Sequence, residues 1–303
     1  MIPSPRSLPR LAVTLGDARG IGPEIVAAAL ADPAVRAVAT FVVVGPSGTA
    51  AHADESVGQW KSHDGAPRGG ALAGKAIERA VQLAMAGDVD GIVTAPLDKS
   101  ALFAGGFDFP GHTEMLAALT KSATAMMLAS DRLRVVLATT HIPLRDVPAA
   151  VTIESIETAA RITRAGLRDW FGIADPRIAL CALNPHAGDG GRFGNEDDVV
   201  LRPAAEHSKL FGPFPADTVF VRAMRGEFDV VIAPYHDVGM TAIKVASFGS
   251  AVNVTLGLPF PRTSPDHGTA LGIAGQGLAD PSSMKQAILV CASIANRVGS
   301  FSI

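Results

Sequence analysis

The 303-residue sequence is poor in cysteine and in charge and has no long apolar run, and each of these shortages excludes a class of protein. Two cysteines, Cys181 and Cys291, lie in apolar runs and are too few for a disulfide framework, so we expect reduced, buried thiols. Only 18% of the residues are charged and the formal net charge is -3, so a nucleic-acid surface is not expected. No apolar run is long enough to span a bilayer, and the N-terminal stretch lacks the apolar core of a secretory signal. We therefore expect a cytoplasmic protein without nucleic-acid or membrane partners.

Two phosphate-binding signatures are also missing. Neither the Gly-x-Gly-x-x-Gly fingerprint of dinucleotide-binding folds nor a Walker-type loop occurs in the sequence. The opening strand instead runs into GDARGIGPEI, residues 16–25, where three glycines allow a tight turn and Pro23 starts a helix. The amides at the start of that helix can hold an anion, although an ordinary strand-to-helix connection has the same pattern. A nicotinamide cofactor would therefore need a different loop.

Short β-branched runs alternate with Ala-rich stretches of helical period along the whole chain, in which 48% of residues are apolar. The strand-like runs are LAVTL, ATFVVVG, DGIVTAP, RVVLATTH, RIALCALNPH, DVVIAPYH and AVNVTLG. Helix-like runs such as IGPEIVAAALAD and LAGKAIERAVQLAMAG stand between them, and SSMKQAILVCASIANRV closes the chain. This alternation predicts an α/β fold with a mainly parallel sheet. The polar stretch 50–70 has only weak patterning, which predicts a surface loop.

Three of the apolar runs end in a histidine, at His141, His186 and His236. Open α/β sheets bind ligands at the carboxyl ends of their strands, so three such histidines can converge. Imidazole is the commonest metal ligand, and three imidazoles with open coordination positions are typical of a catalytic centre. A lone histidine at a strand end is more often a hydrogen-bonded structural group, but three such placements favour a metal site. The residue types leave the ion open among zinc, cobalt and magnesium.

A second glycine-rich segment, SPDHGTALGIAGQGLADP at residues 264–281, has a more specific pattern than the first. Its HGTA and IAGQGLADP portions, together with GIGPE near the start, resemble the isocitrate and isopropylmalate dehydrogenase superfamily. That resemblance implies a two-lobed α/β/α sandwich with the active site in the cleft between the lobes. It also implies that this late loop holds the adenosine end of NAD or NADP. The loop residues expected to bind the cofactor are Asp266, His267, Gly268, Thr269 and Ala270.

Further motifs narrow the resemblance to one family over nearly the whole chain. GHTE, ATTHIPLRDV, LNPHAGDGG, PADTVF, YHD and VNVTLGLPFPRTSPDHGTAL resemble the 4-hydroxythreonine-4-phosphate dehydrogenase family of vitamin B6 biosynthesis. The resemblance implies that His141, His186 and His236 hold a divalent ion at a site shared across a homodimer interface. It implies a first lobe of residues 1–118 and 250–303, and a second lobe of residues 119–249 that carries the metal histidines and the dimer interface.

The resemblance also implies a set of substrate contacts, whose chemistry suits a small phosphorylated hydroxy acid. The residues are His112, Thr113, Lys244, Asn253 and Arg262. The lysine and arginine supply cations for a phosphate or carboxylate, and the other three can hydrogen-bond polar groups. The implied reaction is oxidation of 4-phosphohydroxy-L-threonine by NAD or NADP, followed by decarboxylation to 3-amino-2-oxopropyl phosphate. A divalent ion would assist both steps, and Lys244 or Asp237 would accept the proton.

Several alternatives stay open at this point. Related dehydrogenases act on D-threonate or D-erythronate 4-phosphate. A three-histidine metal hydrolase would use the same ion to activate water, and a non-catalytic ligand-binding protein would have the same scaffold. The usual opening Gly-(Asp/Glu)-Pro-Ala-Gly-Ile-Gly-Pro is altered here by Ala18 and Arg19, and Val238 follows YHD where the family has glutamine. The segment after Lys244 reads VASFG and lacks the usual tyrosine. Substrate preference is expected to shift at these departures.

Overall fold

The structure, a computed structural model, describes residues 8–247 and 250–298. The chain forms two compact units, Met1–Ser122 with Leu258–Ile303, and Ala123–Gly257. Residues 250–257, which the sequence prediction assigned to the first lobe, therefore lie in the second unit. The reason is that they contain a strand, Val252–Leu256, which pairs with a strand of the second unit, Ala125–Ala129.

The first unit contains a parallel sheet between two layers of helices. Its elements in chain order are β1 (Arg10–Thr14), α1 (Gly22–Ala31), α2 (Pro33–Arg36), β2 (Thr40–Ser47), β3 (Glu55–Gln59), α3 (Ala66–Met85), β4 (Gly91–Thr94), α4 (Lys99–Ala104), α5 (His112–Thr120), β11 (Arg262–Pro265) and α11 (Ser282–Val298). The strand order is β3-β2-β1-β4-β11, and the neighbours run parallel. β1 and β4 are buried almost throughout, as expected for central strands covered on both faces.

The two faces of this sheet are covered by different helices. The apolar stripe of α3, which includes Ala76 and Ile77, packs against Ala12 of β1 on one face. α11 covers β4 on the other face, where a Cβ added at Gly91 would lie 2.9 Å from the Cys291 sulfur. Glycine is therefore required at this point for the helix to approach the strand closely.

The second unit contains the elements between these two segments of chain. They are β5 (Ala125–Ala129), β6 (Arg134–Leu137), α6 (Val147–Ala150), α7 (Ile153–Asp169), β7 (Ile178–Cys181), α8 (Arg202–Ser208), β8 (Phe211–Phe214), α9 (Ala216–Met224), β9 (Val230–Ala233), α10 (His236–Ser247) and β10 (Val252–Leu256). The strand order is β10-β5-β6-β9-β7-β8. β5 runs antiparallel to β10 and β6, and the pairs from β6 to β8 are parallel. An α/β fold with a mainly parallel sheet is thus confirmed.

Local sequence explains where the main helix of this unit begins. Thr152 accepts a hydrogen bond from the Ser155 amide at 3.1 Å, and Ser155 Oγ accepts one from the Thr152 amide at 2.9 Å. This reciprocal cap satisfies two backbone donors that a helix start leaves open. α7 then packs on the sheet, where Gly166 leaves room for Leu256; an added Cβ would lie 2.8 Å from the Leu256 Cδ2.

The structure departs from the predicted surface loop at residues 50–70. This stretch contains β3, which pairs in parallel with β2 at the edge of the sheet, and the first turn of α3. An edge strand is half exposed, so the strand ESVGQ has no apolar run to predict it. In the VASFG segment, Phe248 and Gly249 lie outside the described residues. None of the described helices is long and apolar enough to cross a membrane.

Candidate active site

Two of the three predicted metal histidines meet in the second unit. The imidazole rings of His141 and His236 are 5.4 Å apart between centroids. They follow β6 and β9, which are parallel neighbours, and the chain continues that pairing beyond the strands: the Ala138 amide donates to the Ala233 carbonyl at 2.9 Å. The Thr139 hydroxyl donates to the Pro234 carbonyl at 2.7 Å. The backbone is therefore fixed two residues before each histidine, and this holds the two rings together.

The third histidine, His186, lies near these two but in a separate cavity. His141 and His236 line a cavity of about 140 Å³, with Tyr235 and Asp237 in its wall. A second cavity of about 330 Å³ is lined by His186, and Tyr235 belongs to its wall too. Among residues 8–247 and 250–298, no three His, Cys, Asp or Glu side chains form a cluster that could hold a metal ion. One chain by itself therefore presents a pair of histidines and a separate single one.

The donor set of the first cavity fits a metal ion. The Nδ1 of His236 is buried and has no hydrogen-bond partner among the described residues. Buried polar atoms are almost always satisfied, so it is unusual that one of two neighbouring imidazole rings has a buried nitrogen without a partner. An ion bound at about 2.0–2.1 Å from a ring nitrogen would satisfy it.

Three other predicted residues belong to the second unit and differ in their surroundings. Asp237, next to His236 at the start of α10, is exposed and lines the cavity of the two histidines. Lys244 is exposed and lies two turns further along the same helix. Asn253 lies on β10 opposite Leu128, and its buried Oδ1 has no hydrogen-bond partner within the described part of the chain.

The first unit brings Arg262 and His112 together. Arg262 is 1% exposed, and its Nη2 donates a hydrogen bond to the Thr94 hydroxyl of β4. Burial lowers the pKa of Arg262 to about 10, which still leaves the guanidinium protonated at neutral pH. His112 begins α5, and burial, followed by the charges of Arg262 and Lys99, holds its pKa well below the usual 6.5. Its imidazole is therefore neutral beside two cations.

Sequence reasoning missed Lys99 in this set. Lys99 is the first residue of α4, directly after Asp98, whose side chain accepts a hydrogen bond from the Ala101 amide at 2.7 Å and caps the helix. A Cβ added at Gly111 would lie 3.5 Å from the Lys99 Cε and 3.4 Å from a Glu114 carboxylate oxygen. Lys99 thus lies beside the GHTE segment, a contact that no local pattern reveals. Thr113, the other predicted residue here, follows His112 in the first turn of α5.

The late loop is held against the opening glycine turn of the same unit. The Ile21 amide donates to the Thr269 carbonyl at 3.0 Å, and the Gly277 amide donates to Glu24 Oε2 at 3.3 Å. The predicted cofactor residues form one continuous stretch of this loop, in which Gly268 and Ala270 are exposed and His267 Nδ1 lies 3.1 Å from the Gly268 carbonyl oxygen. No atom outside the adjacent chain lies within 4 Å of a Cβ added at Gly268. An anchored loop with an open backbone face fits a nucleotide.

The departure at Arg19 has a structural partner. Its Nη2 lies 2.7 Å from Oδ2 of Asp17, whose side chain is fully buried, and its Nε lies 3.1 Å from Oδ1. The Asp17 hydrogen bond is the largest cause that raises the pKa of Arg19. Asp98 contributes a weaker ion pair at 3.9 Å. The guanidinium therefore neutralises a buried carboxylate in the opening turn.

Known structures place this architecture in a defined class. The isocitrate dehydrogenase of Methylococcus capsulatus aligns with 96% of this chain and 86% of its own at 16% identity and a TM-score of 0.51, which shows a shared fold. The 4-hydroxythreonine-4-phosphate dehydrogenase of Klebsiella pneumoniae is much nearer, with a TM-score of 0.84 and 37% identity over 96% of this chain and 99% of that one. The fold is therefore that of the isocitrate dehydrogenase-like proteins.

Sequence comparison defines the family. The profile of the family described as "Pyridoxal phosphate biosynthetic protein PdxA" matches residues 31–291. A 4-hydroxythreonine-4-phosphate dehydrogenase of Geobacter metallireducens is 41% identical over 98% of both chains. One from Stenotrophomonas maltophilia is 47% identical over 75% of this chain and 71% of its own. The chain belongs to the PdxA family, and the resemblance seen in its motifs is confirmed.

Proposed function

We propose that this protein is a 4-hydroxythreonine-4-phosphate dehydrogenase of the cytoplasm. It oxidises 4-phosphohydroxy-L-threonine with NAD or NADP and decarboxylates the product to 3-amino-2-oxopropyl phosphate. One observation carries the proposal beyond family membership: the ring of His236, whose buried Nδ1 has no hydrogen-bond partner among the described residues, lies beside the ring of His141 at the ends of neighbouring parallel strands. Ligands bind at such strand ends in open α/β sheets.

The first unit supplies an anion site. Arg262 is a rigid guanidinium because it is buried and hydrogen-bonded to Thr94, so it can bind a phosphate or carboxylate with little loss of side-chain entropy. Lys99 adds a second cation on an exposed, flexible side chain. His112, held neutral by burial and by these two charges, can donate or accept a hydrogen bond without adding charge.

The second unit supplies the metal ligands and a base. A zinc, magnesium or cobalt ion would lower the pKa of the substrate hydroxyl and stabilise negative charge on its oxygen, while NAD or NADP would accept the hydride. Asp237 is the base that the geometry favours over Lys244, because it lines the same cavity as His141 and His236.

A second copy of the chain would complete the metal site. His141 and His186 are both exposed, and both have exposed apolar neighbours. Ile142 and Leu144 are 38% and 66% exposed beside His141, and Phe193, 47% exposed, packs its ring 6.4 Å from that of His186. Apolar surface around a half-formed site favours burial in a homodimer that brings His186 of one chain to the histidine pair of the other.

The decisive experiment is an assay of cofactor reduction by absorbance. Metal-depleted protein is supplied with 4-phosphohydroxy-L-threonine, NAD or NADP, and zinc, magnesium or cobalt in turn. We expect reduction that requires a divalent ion and releases one carbon dioxide per reduced cofactor. His186→Ala should lower turnover by more than about 100-fold, on the order of 3 kcal/mol, because it removes a metal ligand.

His52→Ala is the matched control, since His52 is 88% exposed and lies outside both cavities. It should leave the rate unchanged. D-threonate and D-erythronate 4-phosphate are assayed in parallel, because Arg19 alters the opening turn. If either acid is turned over faster than 4-phosphohydroxy-L-threonine, that acid is the substrate instead. Metal-dependent hydrolysis without cofactor reduction would establish the hydrolase instead, and equal activity of His186→Ala would refute the metal assignment.

A further inference from the structure

A buried carboxylate holds the start of the loop that carries His186. Asp197 is fully buried, and its two oxygens accept hydrogen bonds from consecutive backbone amides. Oδ1 accepts from Leu183 at 2.8 Å, and Oδ2 accepts from Asn184 at 3.0 Å. These amides come directly after β7, on the way to His186. An ionised carboxylate that accepts two N–H groups makes stronger hydrogen bonds than a neutral acceptor would.

The neighbouring residue adds a second connection to the same point. Glu196 Oε2 accepts a hydrogen bond from the Asn184 side-chain amide at 2.8 Å. Space is tight around this contact, because a Cβ added at Gly194 would lie 2.5 Å from the Glu196 carboxylate. Asp197 also begins a π-helical turn, Asp197–Leu201, just before α8. Such turns insert one residue into a helix and are frequent at functional sites.

The loop of residues 186–191, which lies between Asn184 and Asp197 in the chain, is strained. His186, Ala187 and Asp189 have φ values of 53°, 54° and 45°, in the left-handed region that non-glycine residues rarely adopt. Gly188, Gly190 and Gly191 also have positive φ, at 84°, 66° and 87°. A run of strained residues persists only where the surrounding structure holds it, and strain of this kind concentrates at binding sites.

We propose that Asp197 is a positioning residue for the metal site. Its carboxylate fixes Leu183 and Asn184, and through them it keeps the strained loop in the conformation that presents His186 to the ion. The role rests on the proposed function, because it requires His186 to be a ligand. It also requires both carboxylate oxygens, since an asparagine offers one acceptor and would set its NH₂ group against a backbone N–H.

Asp197→Asn tests this role, with Asp198→Asn as the matched control. Asp198 is adjacent in sequence but partly exposed, and it pairs with Arg202 at 2.8 Å. Cobalt(II) affinity is measured by calorimetry on metal-depleted protein without substrate. We expect Asp197→Asn to weaken binding by about 10- to 100-fold, the range for partners that orient a metal ligand, and Asp198→Asn to leave it unchanged. Amide exchange of the peptide that spans residues 183–191 should accelerate only in Asp197→Asn.

A measurement on the unaltered protein covers the case in which Asp197→Asn does not fold. Without metal, the amides of Leu183 and Asn184 should exchange far more slowly than that of Gly190. Equal exchange would overturn the role of Asp197. His186→Ala distinguishes a failure of the positioning role from a failure of the metal site. If His186→Ala weakens cobalt binding while Asp197→Asn does not, only the positioning role of Asp197 fails. If His186→Ala leaves cobalt binding unchanged, the proposed metal site fails and the role of Asp197 fails with it.

Discussion

At the scale of single residues, the chemistry of this protein depends on side chains whose charge is set by their surroundings. Arg262 keeps its proton although it is buried, because even a pKa of about 10 lies well above neutrality. His112 loses its proton in the same surroundings, since its ordinary pKa of 6.5 is already close to neutral. The same burial therefore produces one fixed cation and one neutral hydrogen-bonding group.

The low pKa of His112 predicts a pH-dependent stability. The pKa of His112 is lower in the folded than in the unfolded chain, so the unfolded chain binds the proton more tightly. The contribution of His112 to folding stability is therefore present above pH 6.5, and it is lost as the pH falls below that value. At about pH 5.5 this one group therefore favours the unfolded state relative to its effect at about pH 7.5. His112→Gln should remove that part of the acid destabilisation, which urea unfolding at about pH 7.5 and 5.5 would measure.

His52→Gln is the control for this experiment, because the exposed His52 side chain stays in contact with solvent. Its unfolding free energy should follow the same pH dependence as that of the unaltered protein. An identical pH dependence in His112→Gln would show that His112 titrates normally in the folded state.

At the scale of elements, strands that consist of a continuous β-branched apolar run could be predicted, and strands without such a run could not. β1, β4, β7 and β9 are buried on both faces, so their sequences are continuous apolar runs. β3 lies at an edge and reads as a loop. β11 was also missed: its sequence is RTSP, and its burial depends on partners far away in the chain, such as the Ala287 carbonyl that accepts a hydrogen bond from Thr263 at 2.7 Å.

The candidate site shows the same limit. The positions of His141, His186 and His236 at strand ends could be read from the sequence because strand ends are a local property. The roles of Lys99 and Asp197 could not be predicted, because each residue contacts a segment that lies elsewhere in the chain and no local sequence pattern indicates that contact. Asp197 lies in an acidic stretch that looks like an exposed helix start, yet its side chain is fully buried. Only the folded chain brings it to the end of β7.

The opening turn and the late loop form one structural element, and Gly20 tests its role. A Cβ at Gly20 would lie 2.7 Å from the Thr269 carbonyl oxygen and 2.9 Å from the Thr269 Cβ. Because the first of these atoms belongs to the backbone, Gly20→Ala must displace the loop. If the loop binds the nucleotide, the Kd for NAD or NADP should rise by about tenfold, or ~1.4 kcal/mol, in calorimetry.

Gly65→Ala is the matched substitution for that measurement. Gly65 has φ of -92° and only the Pro67 ring within 4 Å of an added Cβ, so alanine fits there. Its cofactor affinity should equal that of the unaltered protein. An unchanged Kd in a folded Gly20→Ala variant would show that the late loop does not bind the nucleotide, which must then bind at another surface.

At the scale of the whole molecule, the proposed metal site requires two copies of the chain in the active protein. Within the described residues of one chain, His186 does not join the pair formed by His141 and His236. A metal site shared between two copies of the chain allows complementation between variants, which a site within one chain does not. Two inactive variants with different ligands substituted can restore activity in a mixed dimer, because one of its two sites then contains only intact ligands.

Mixing His141→Ala with His186→Ala tests this sharing directly. If His186 crosses to the partner, one site of the mixed dimer carries both substitutions and the other carries neither. Random exchange of subunits makes half of the dimers mixed, so about a quarter of the original activity should return. His141→Ala mixed with His236→Ala is the control: these two ligands come from the same chain, every site lacks one, and no activity should return. Recovery in the control, or none in the test mixture, would contradict the shared site.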